Sequence, residues 1–228
     1  WGSGTFGSSS AIGSNNQLRL WSLDSFGEDL IACPRGGSVY YWDYTNASTR
    51  AVALADLAGA NLAPTLGLQV LVSDVDRHVI VLGADPIDAP GTGRTGAIDP
   101  LLVAFSDQEN AAEWQPLSTN TAGSLRCSAG SQIIGGLRAR QETLIWTDVA
   151  LYSLQFIGAP LTFGLTLINE GVSLIGPNAP VNTPTGIFWM DKKGFYAYQG
   201  AVQPVPCSVH SYVFDDFNED QAFQVFGF

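Results

Sequence analysis

Short apolar runs separated by polar turns dominate the hydrophobic pattern of this chain. Residues 142–158 read ETLIWTDVALYSLQFIG, and residues 185–200 read TGIFWMDKKGFYAYQG. Runs of about four to eight residues, rich in β-branched and aromatic types and bounded by Gly, Pro, Asp or Asn, are typical of strands. Each stretch therefore predicts a β-hairpin. The second strand of the first hairpin is expected to place Tyr152, Leu154 and Phe156 on one face.

The two hairpins belong to a repeat. Three pairs of landmarks, separated by 41, 43 and 42 residues, define it: Ile134 and Ile175, Trp146 and Trp189, and Gly158 and Gly200. A period of about 40–45 residues with several strands per unit is typical of β-propeller blades. One such unit cannot bury both of its faces alone, so stacked neighbours are expected to supply the core.

Two looser units lie upstream. In the first, Ile31 corresponds to Ile134, and the Trp42–Asp43 pair corresponds to Trp146 and Asp148; in the second the landmarks are Ile80, Phe105 and Asp107, split by a Gly/Pro-rich insertion. The four units lie near 18–44, 69–108, 125–158 and 165–200. The pattern predicts an all-β protein: residues 1–228 form a single β-propeller-type domain, or part of one, with Gly/Pro-rich loop insertions. The only predicted helix is at 48–60, which reads STRAVALADLAGA.

The repeated Trp/Asp pairs have two interpretations. Trp146 and Trp189 would close a strand and pack between adjacent units, while Asp148 and Asp191 would accept backbone N–H bonds in the following turn. The alternative is a catalytic Trp/Asp pair. Because catalytic residues are seldom copied once per repeat, the repetition favours the packing interpretation.

Composition and charge narrow the classes of function. Apolar residues make up 46% of the 228 residues and charged residues 14%, which indicates an ordered chain. The 21 acidic residues exceed the 10 Lys and Arg residues, giving a net charge of -11. Proteins that bind DNA phosphates normally carry a basic face, so direct nucleic-acid binding is not expected. An acidic surface could still line a passage through which DNA slides, because like charges repel.

Cysteine and metal-ligand spacing predict neither a disulfide framework nor a metal site. Cys33, Cys127 and Cys207 are sparse and odd in number, so we expect three buried free thiols. The segment DFNEDQ at 216–221 has the alternate acidic spacing of a calcium loop. It lacks the turn glycine and the closing glutamate, so no metal ligands are predicted.

Cofactor and catalytic motifs are equally weak. The stretches 2–7 (GSGTFG) and 91–96 (GTGRTG) match the dinucleotide spacing G-x-G-x-x-G, but neither opens a predicted helix, so both are expected to be flexible loops. His78 and His210 accompany no nucleophile elbow and no carboxylate to orient them, which predicts surface or packing roles. The acidic residues of the long insertion are scattered among turns. We therefore predict no catalytic, cofactor-binding or metal-binding residues and no enzyme activity.

The first residue, the single methionine and the apolar segments of the sequence give two further expectations. It begins with Trp1 and has one methionine, Met190, so we expect it to be a segment of a longer polypeptide. The most apolar stretch is interrupted by Asp56, Asn61 and Pro64, so no membrane insertion is expected.

Several stretches, taken in order, resemble the nozzle (tail tubular protein B-like) β-propeller proteins of short-tailed bacteriophages. They are RLWSLDSFGEDLIACPRGGSVYYWD, SDQENAAEWQP, TNTAGSLRCSAGSQIIGG, IWTDVALYSLQFIG, NAPVNTPTGIFWMDKKGFYAYQGAVQPVPCSV and FDDFNEDQ. The resemblance covers nearly the whole chain and is weakest at 84–100. The residues that carry it lie at expected strand and turn positions: Trp21, Trp42, Trp114, Trp146, Trp189, Asp43, Asp107, Asp148 and Asp191.

The resemblance implies a structural virion protein of the phage tail. Such a protein is expected to form a homo-oligomeric ring, a hexamer, that continues the DNA channel. It docks the portal or adaptor on one side and tail fibres or other tail proteins on the other, and it passes DNA without sequence-specific binding. The family has no catalytic residues to carry over. The alternatives are a propeller-based glycan-binding or glycan-cleaving tail protein, and a packaged-DNA stabilisation plug.

Overall fold

The computed structural model describes residues 20–73, 76–89 and 91–228, and this part of the chain is almost entirely β-structure. Its strands form four antiparallel sheets of four strands each. Sheet 1 contains β1 (Trp21–Phe26), β2 (Asp29–Pro34), β3 (Tyr40–Trp42) and β4 (Val52–Ala53). Sheet 2 contains β5 (Gln69–Val72), β6 (Val79–Leu82), β7 (Leu102–Phe105) and β8 (Gly123–Arg126). The predicted all-β class is confirmed.

The second half of the chain repeats this organisation. Sheet 3 contains β9 (Ile133–Arg138), β10 (Thr143–Thr147), β11 (Ala150–Gly158) and β12 (Thr162–Glu170). Sheet 4 contains β13 (Val181–Thr183), β14 (Gly186–Asp191), β15 (Gly194–Tyr198) and β16 (Val202–Val205). In every sheet each strand pairs with the next one along the sequence, so each sheet is a simple meander. Both predicted hairpins are present, as β10–β11 and β14–β15.

The four sheets stack side by side and contact one another through their first strands. Strand β1 contacts β5, β5 contacts β9, and β9 contacts β13. A strand between two neighbours buries both faces, which explains the unbroken apolar runs in the sequence. In β6, Val79 and Val81 face sheet 1, whereas Ile80 and Leu82 face sheet 3. Hydrophobic burial between sheets is therefore the main force that holds the architecture together.

Two adjacent glycines allow the close approach of β9 to its neighbours. A Cβ atom on Gly135 would lie 3.0 Å from the backbone of Pro177. A Cβ atom on Gly136 would lie 2.7 Å from Cδ1 of Leu82, on the opposite side of the strand. Side chains alternate between the two faces of a strand, so this glycine pair leaves one position without a side chain on each face of β9. Sheets 2 and 4 can then both pack against the first strand of sheet 3.

Each predicted repeat unit overlaps one observed sheet. Each of the units near 18–44, 69–108, 125–158 and 165–200 contains the first three strands of one sheet. The fourth strand of each sheet lies at or beyond the end of its unit.

The landmark alignment of the two upstream units was wrong by one strand. Ile31 lies in the second strand of its sheet and Trp42 in the third, whereas Ile134 lies in the first and Trp146 in the second. The first three strands of sheets 1 and 2 each contain several apolar or aromatic residues. A sequence match can therefore slip by one strand without losing its hydrophobic pattern.

The predicted helix at 48–60 was also wrong. Strand β4 and a short 3-10 turn, Leu54–Asp56, occupy this stretch. Val52 and Ala53 pair with β3, and Leu54 is fully buried and donates its N–H to the carbonyl of Val39. Pairing with a sheet edge and burial of Leu54 override the local helix propensity.

In the described residues the only α-helix is α1 (His210–Phe214), which lies against sheet 4. The rings of Phe214 and Phe195 are 5.4 Å apart, so the helix covers an outer face of that sheet. Among the described residues nothing comparable covers β1 of sheet 1, where Trp21 is 54% and Leu23 is 62% exposed.

Candidate functional site

The repeated aspartates fasten turns to strands. Asp148 accepts hydrogen bonds from the backbone N–H (2.8 Å) and the hydroxyl (2.6 Å) of Ser131. Asp191 accepts the same pair of bonds from Ser173, at 3.2 and 2.6 Å. Each serine precedes the first strand of its sheet, and each aspartate lies at the end of the second. The arrangement is therefore a repeated brace across the sheet, as predicted for the turn role of these aspartates.

Asp43 and Asp107 use the same chemistry one strand later. Asp43 accepts from the backbone N–H (2.8 Å) and the hydroxyl (2.6 Å) of Thr45. Asp107 accepts from the backbone N–H (2.8 Å) and the hydroxyl (2.6 Å) of Thr121. Each of the four carboxylates therefore accepts from the backbone amide and the hydroxyl of one Ser or Thr. These contacts give the four aspartates a structural role in the turns.

We expect these braces to make the protein acid-sensitive. Burial acts to raise the pKa of Asp107, but hydrogen bonds from Thr121 and Gln108 and the charge of His78 outweigh it, so the pKa is lowered. At Asp148 burial also acts to raise the pKa, and hydrogen bonds from Ser131 and Gln132 again lower it overall. A carboxyl group with a depressed folded-state pKa stabilises the fold above its unfolded value of about 4 and loses that contribution as the pH falls further.

Urea unfolding at a series of pH values between 7 and about 3 measures this effect. The free energy of unfolding should fall steadily below about pH 4. In Asp148→Ala it should be lower at neutral pH and should fall less steeply on acidification. A variant with the acid dependence of the parent would contradict the brace at Asp148.

The strongest catalytic candidate is a buried histidine network that the sequence did not indicate. His78 is fully buried; its Nδ1 lies 2.7 Å from a carboxylate oxygen of Asp76, and its Nε2 lies 2.9 Å from the hydroxyl of Thr121. The predicted surface or packing role is thus incomplete, because a carboxylate does orient the ring. Asp76 is only two residues away, and the β5–β6 turn folds it back onto the imidazole.

The order carboxylate, imidazole and hydroxyl resembles a nucleophilic triad, but the hydrogen bonds exclude that role. The Thr121 hydroxyl lies 2.6 Å from Asp107, which can only accept, so the hydroxyl proton is directed there. The same oxygen accepts the N–H of Gln108 at 2.9 Å. The imidazole therefore has no proton to take from Thr121.

Aromatic rings close the other sides of this histidine. The His78 ring lies 5.1 Å from Phe163, 5.8 Å from Phe156 and 6.5 Å from Phe105. No face of the ring is open to a substrate. We interpret the network as a buried polar link between β6 and the loop before β8.

His210 has a packing role. Its Nε2 lies 3.0 Å from the carbonyl oxygen of Lys193, and its ring stacks on Phe214 with centroids 4.6 Å apart. The side chain therefore ties α1 to the tip of the β14–β15 hairpin.

The other sequence motifs also have structural explanations. The stretch 2–7 lies outside the described residues. The loop at 91–96 is not followed by a helix, and it is not free: Arg94 donates to the carbonyl oxygens of Leu62 and Asp85, both at 2.7 Å. In the calcium-like stretch, Asn218 accepts the N–H of Asp220 and caps a 3-10 helix, Glu219–Gln224. The part of the chain that the structure describes holds no cluster of His, Cys, Asp or Glu suited to a metal ion.

The three cysteines differ in exposure. Cys33 and Cys127 are buried, as predicted, and burial raises the pKa of the Cys127 thiol to about 12. Cys207 is only partly buried, so the expectation of three buried thiols was wrong for this residue. Strand β16 ends just before it, at Val205, at the edge of sheet 4.

A groove with a volume of about 940 Å³ lies between the ends of sheets 3 and 4. The β9–β10 loop forms one wall, and the β13–β14 and β15–β16 turns form the other. Its polar lining includes Arg138, Arg140, Glu142, Asn182, Thr185 and Tyr198. A smaller recess of about 360 Å³ lies on the other side of the same loop, against sheet 2, and includes Asp76 and Phe156 in its wall. Clefts of about 300–1,000 Å³ are the usual size of ligand sites.

Hydrogen bonds and an ion pair fix both ends of the β9–β10 loop, which separates the groove from the recess. Arg138 donates to the carbonyl oxygen of Val72 at 2.8 Å and pairs with Asp24 at 3.3 Å. Glu142 accepts from the hydroxyl of Ser153 and from Nε2 of Gln155. Burial, together with the charge and hydrogen bond of Glu142, raises the pKa of Tyr198 across the groove.

No helix in the described ranges has the length and apolar character needed to cross a membrane.

The chain matches no protein-family model and no curated protein sequence.

Two solved structures are similar to the chain in backbone shape. One is the extracellular domain of a protein described as a one-component system from B. thetaiotaomicron, at a TM-score of 0.49 and 11% identity over 82% of this chain. The other is a protein described as a gluconolactonase, at a TM-score of 0.43 and 17% identity over 76% of this chain. The chain spans 22% and 58% of the lengths of those two proteins. Neither likeness assigns a function.

Proposed function

We propose that this chain is a structural protein of a bacteriophage tail, a β-propeller segment of a nozzle ring that continues the DNA channel. It acts by stacking on neighbouring copies and by docking the portal or adaptor and the tail fibres or other tail proteins. It performs no chemistry of its own.

The arrangement of the sheets supports the propeller part of the proposal. Four consecutive four-stranded meanders contact one another through their first strands, which is how the blades of a propeller are arranged. The ordered resemblance to nozzle proteins supports the rest, because the four braced aspartates and most of the tryptophans that carry it lie in strands and turns of these sheets.

The observation that supports a ring is the set of polar contacts between sheets 1, 2 and 3. Arg35, directly after β2, donates to the carbonyl oxygen of Ile133 in sheet 3 at 3.1 Å. Gln69 of sheet 2 exchanges two hydrogen bonds of 2.8 Å with the backbone of Gly136 in sheet 3. These contacts hold the three sheets close together and leave no passage for a DNA duplex between them. In a channel protein of this form, the passage would lie between several copies.

The acidic surface charge fits the same role. A net charge of -11 disfavours tight contact with phosphates, so DNA in a channel lined by this chain would not adhere to the wall. The absence of a usable nucleophile at His78 and Thr121 also favours a structural role.

Native mass spectrometry and electron microscopy of the intact tail, or of the purified protein, test the proposal. We expect a closed ring, sixfold as the resemblance implies, joined to portal or tail components. A protein that stays monomeric at high concentration and never associates with phage tails would refute the nozzle assignment.

A further inference from the structure

We propose that the groove between sheets 3 and 4 binds an oligosaccharide that carries carboxylate groups, such as a uronic-acid or sialic-acid glycan. Arg140 would be the principal contact for the carboxylate. The site goes beyond the proposed structural role and does not depend on ring formation.

The groove offers a cationic group in an otherwise acidic protein. Arg140 projects from the middle of the β9–β10 loop, is exposed, and forms no ion pair with any described residue. Two of the other arginines are engaged: Arg126 pairs with Asp99 at 2.8 Å, and Arg94 donates to backbone carbonyl oxygens. A guanidinium group binds a carboxylate through two parallel hydrogen bonds, which gives both charge and orientation.

The remaining lining suits sugar hydroxyls. Asn182 donates to the carbonyl oxygen of Arg138 at 3.2 Å, which leaves its side-chain oxygen as an acceptor. The hydroxyls of Thr183 and Thr185 lie 3.0 Å apart, and Gln199 completes that wall. Amide and hydroxyl side chains both donate and accept, as do the hydroxyl groups of a sugar ring. A peptide would instead require apolar pockets for its side chains, and this lining provides few apolar side chains.

The site is pre-formed. Arg138 is fixed at the start of the loop by Asp24 and Val72, and Glu142 is fixed at its end by Ser153 and Gln155. A ligand would therefore not have to order the loop, which lowers the entropic penalty of binding.

The same contacts argue against cleavage of the bound glycan. Glycoside hydrolysis requires two carboxyl groups that flank the scissile bond. Within the described lining the groove has only Glu142, whose carboxylate already accepts bonds from Ser153 and Gln155. Asp76 lies in the neighbouring recess and is committed to His78. We therefore infer binding without turnover.

Saturation-transfer NMR and isothermal titration calorimetry test the proposal on the purified chain. The probes are trigalacturonate, a hyaluronan tetrasaccharide and sialyllactose, each paired with its neutral methyl ester, together with triglutamate as a non-sugar polycarboxylate. At least one acidic glycan should bind, more tightly than its ester. Arg140→Gln should weaken that binding about ten-fold or more, since a charge-assisted contact is lost. Arg50→Gln, at an exposed arginine outside the groove, should leave it unchanged.

Three results would overturn the proposal. They are the failure of all three acidic glycans to bind, equal loss of binding in the Arg140 and Arg50 variants, and equally tight binding of triglutamate. None of them bears on whether the protein forms a ring, so the site and the proposed function can fail separately.

Discussion

Replacing Trp146 by alanine should lower the free energy of unfolding by about 3–5 kcal/mol, the usual range for a buried aromatic. The Trp146 side chain is fully buried between sheets 3 and 4, and its ring meets that of Trp189 edge to face at 5.4 Å. Its Nε1–H has no hydrogen-bond acceptor, so the expected loss comes from packing and from the cavity that is left. Urea unfolding followed by far-ultraviolet circular dichroism measures it.

Trp21→Ala is the matched control, because that side chain is more than half exposed; it should cost less than about 1 kcal/mol. If Trp146→Ala does not fold, Trp146→Phe keeps most of the volume and should cost about 1–3 kcal/mol. Equal effects of the alanine substitutions at Trp146 and Trp21 would show that the Trp pair does not hold sheets 3 and 4 together.

Replacing His78 by phenylalanine should destabilise the protein by about 3–5 kcal/mol, because it leaves the buried carboxylate of Asp76 without the imidazole and with only the hydroxyl of Ser73 as a described side-chain partner. Phenylalanine fits the aromatic surroundings, so cavity formation contributes little to this loss. The second substitution Asp76→Asn, made in the His78→Phe background, removes the orphaned charge and should recover part of the stability.

The exposed pair of Arg77 and Glu109 provides the control for this prediction. Their charged groups lie 3.9 Å apart on side chains that are 47% and 65% exposed. Glu109→Gln should change the stability by no more than about 1 kcal/mol. A His78→Phe variant as stable as the parent, or a double variant less stable than His78→Phe alone, would contradict the interpretation of Asp76 and His78 as a buried polar pair.

The strands could be predicted from the sequence because burial leaves a direct mark on it. The β10–β11 hairpin follows from its apolar runs and from the polar turn at Asp148. The strand order within sheets 3 and 4 follows from their short connections. The assignment of Trp42 to the position of Trp146 failed because neighbouring strands carry the same apolar signal, and only pairing partners tell them apart.

The contacts at the site could not be predicted, because each depends on residues far apart in the chain. Arg138 meets Asp24 across 114 positions, and Gln69 meets Gly136 across 67. The His78 network also needs the β7–β8 loop, which brings in Thr121 from 43 residues away. The hydrophobic periodicity of a sequence predicts whether a side chain is buried, but it does not predict which polar group that side chain contacts. The groove could not be predicted for the same reason, because turns from two different sheets form its walls.

The hydrogen bonds between sheets 1 and 3 have a consequence for cooperativity. In a repeat protein in which each unit contacts only its neighbours, an end unit can detach while the rest stays folded. Here Arg138 joins β9 to Asp24 of β1 and to Val72 of β5, and Arg35 joins sheet 1 to sheet 3. Sheet 1 is therefore bonded to a sheet that is not its neighbour in sequence. Because detachment of sheet 1 would break contacts with two sheets at once, we expect sheets 1 to 3 to unfold together.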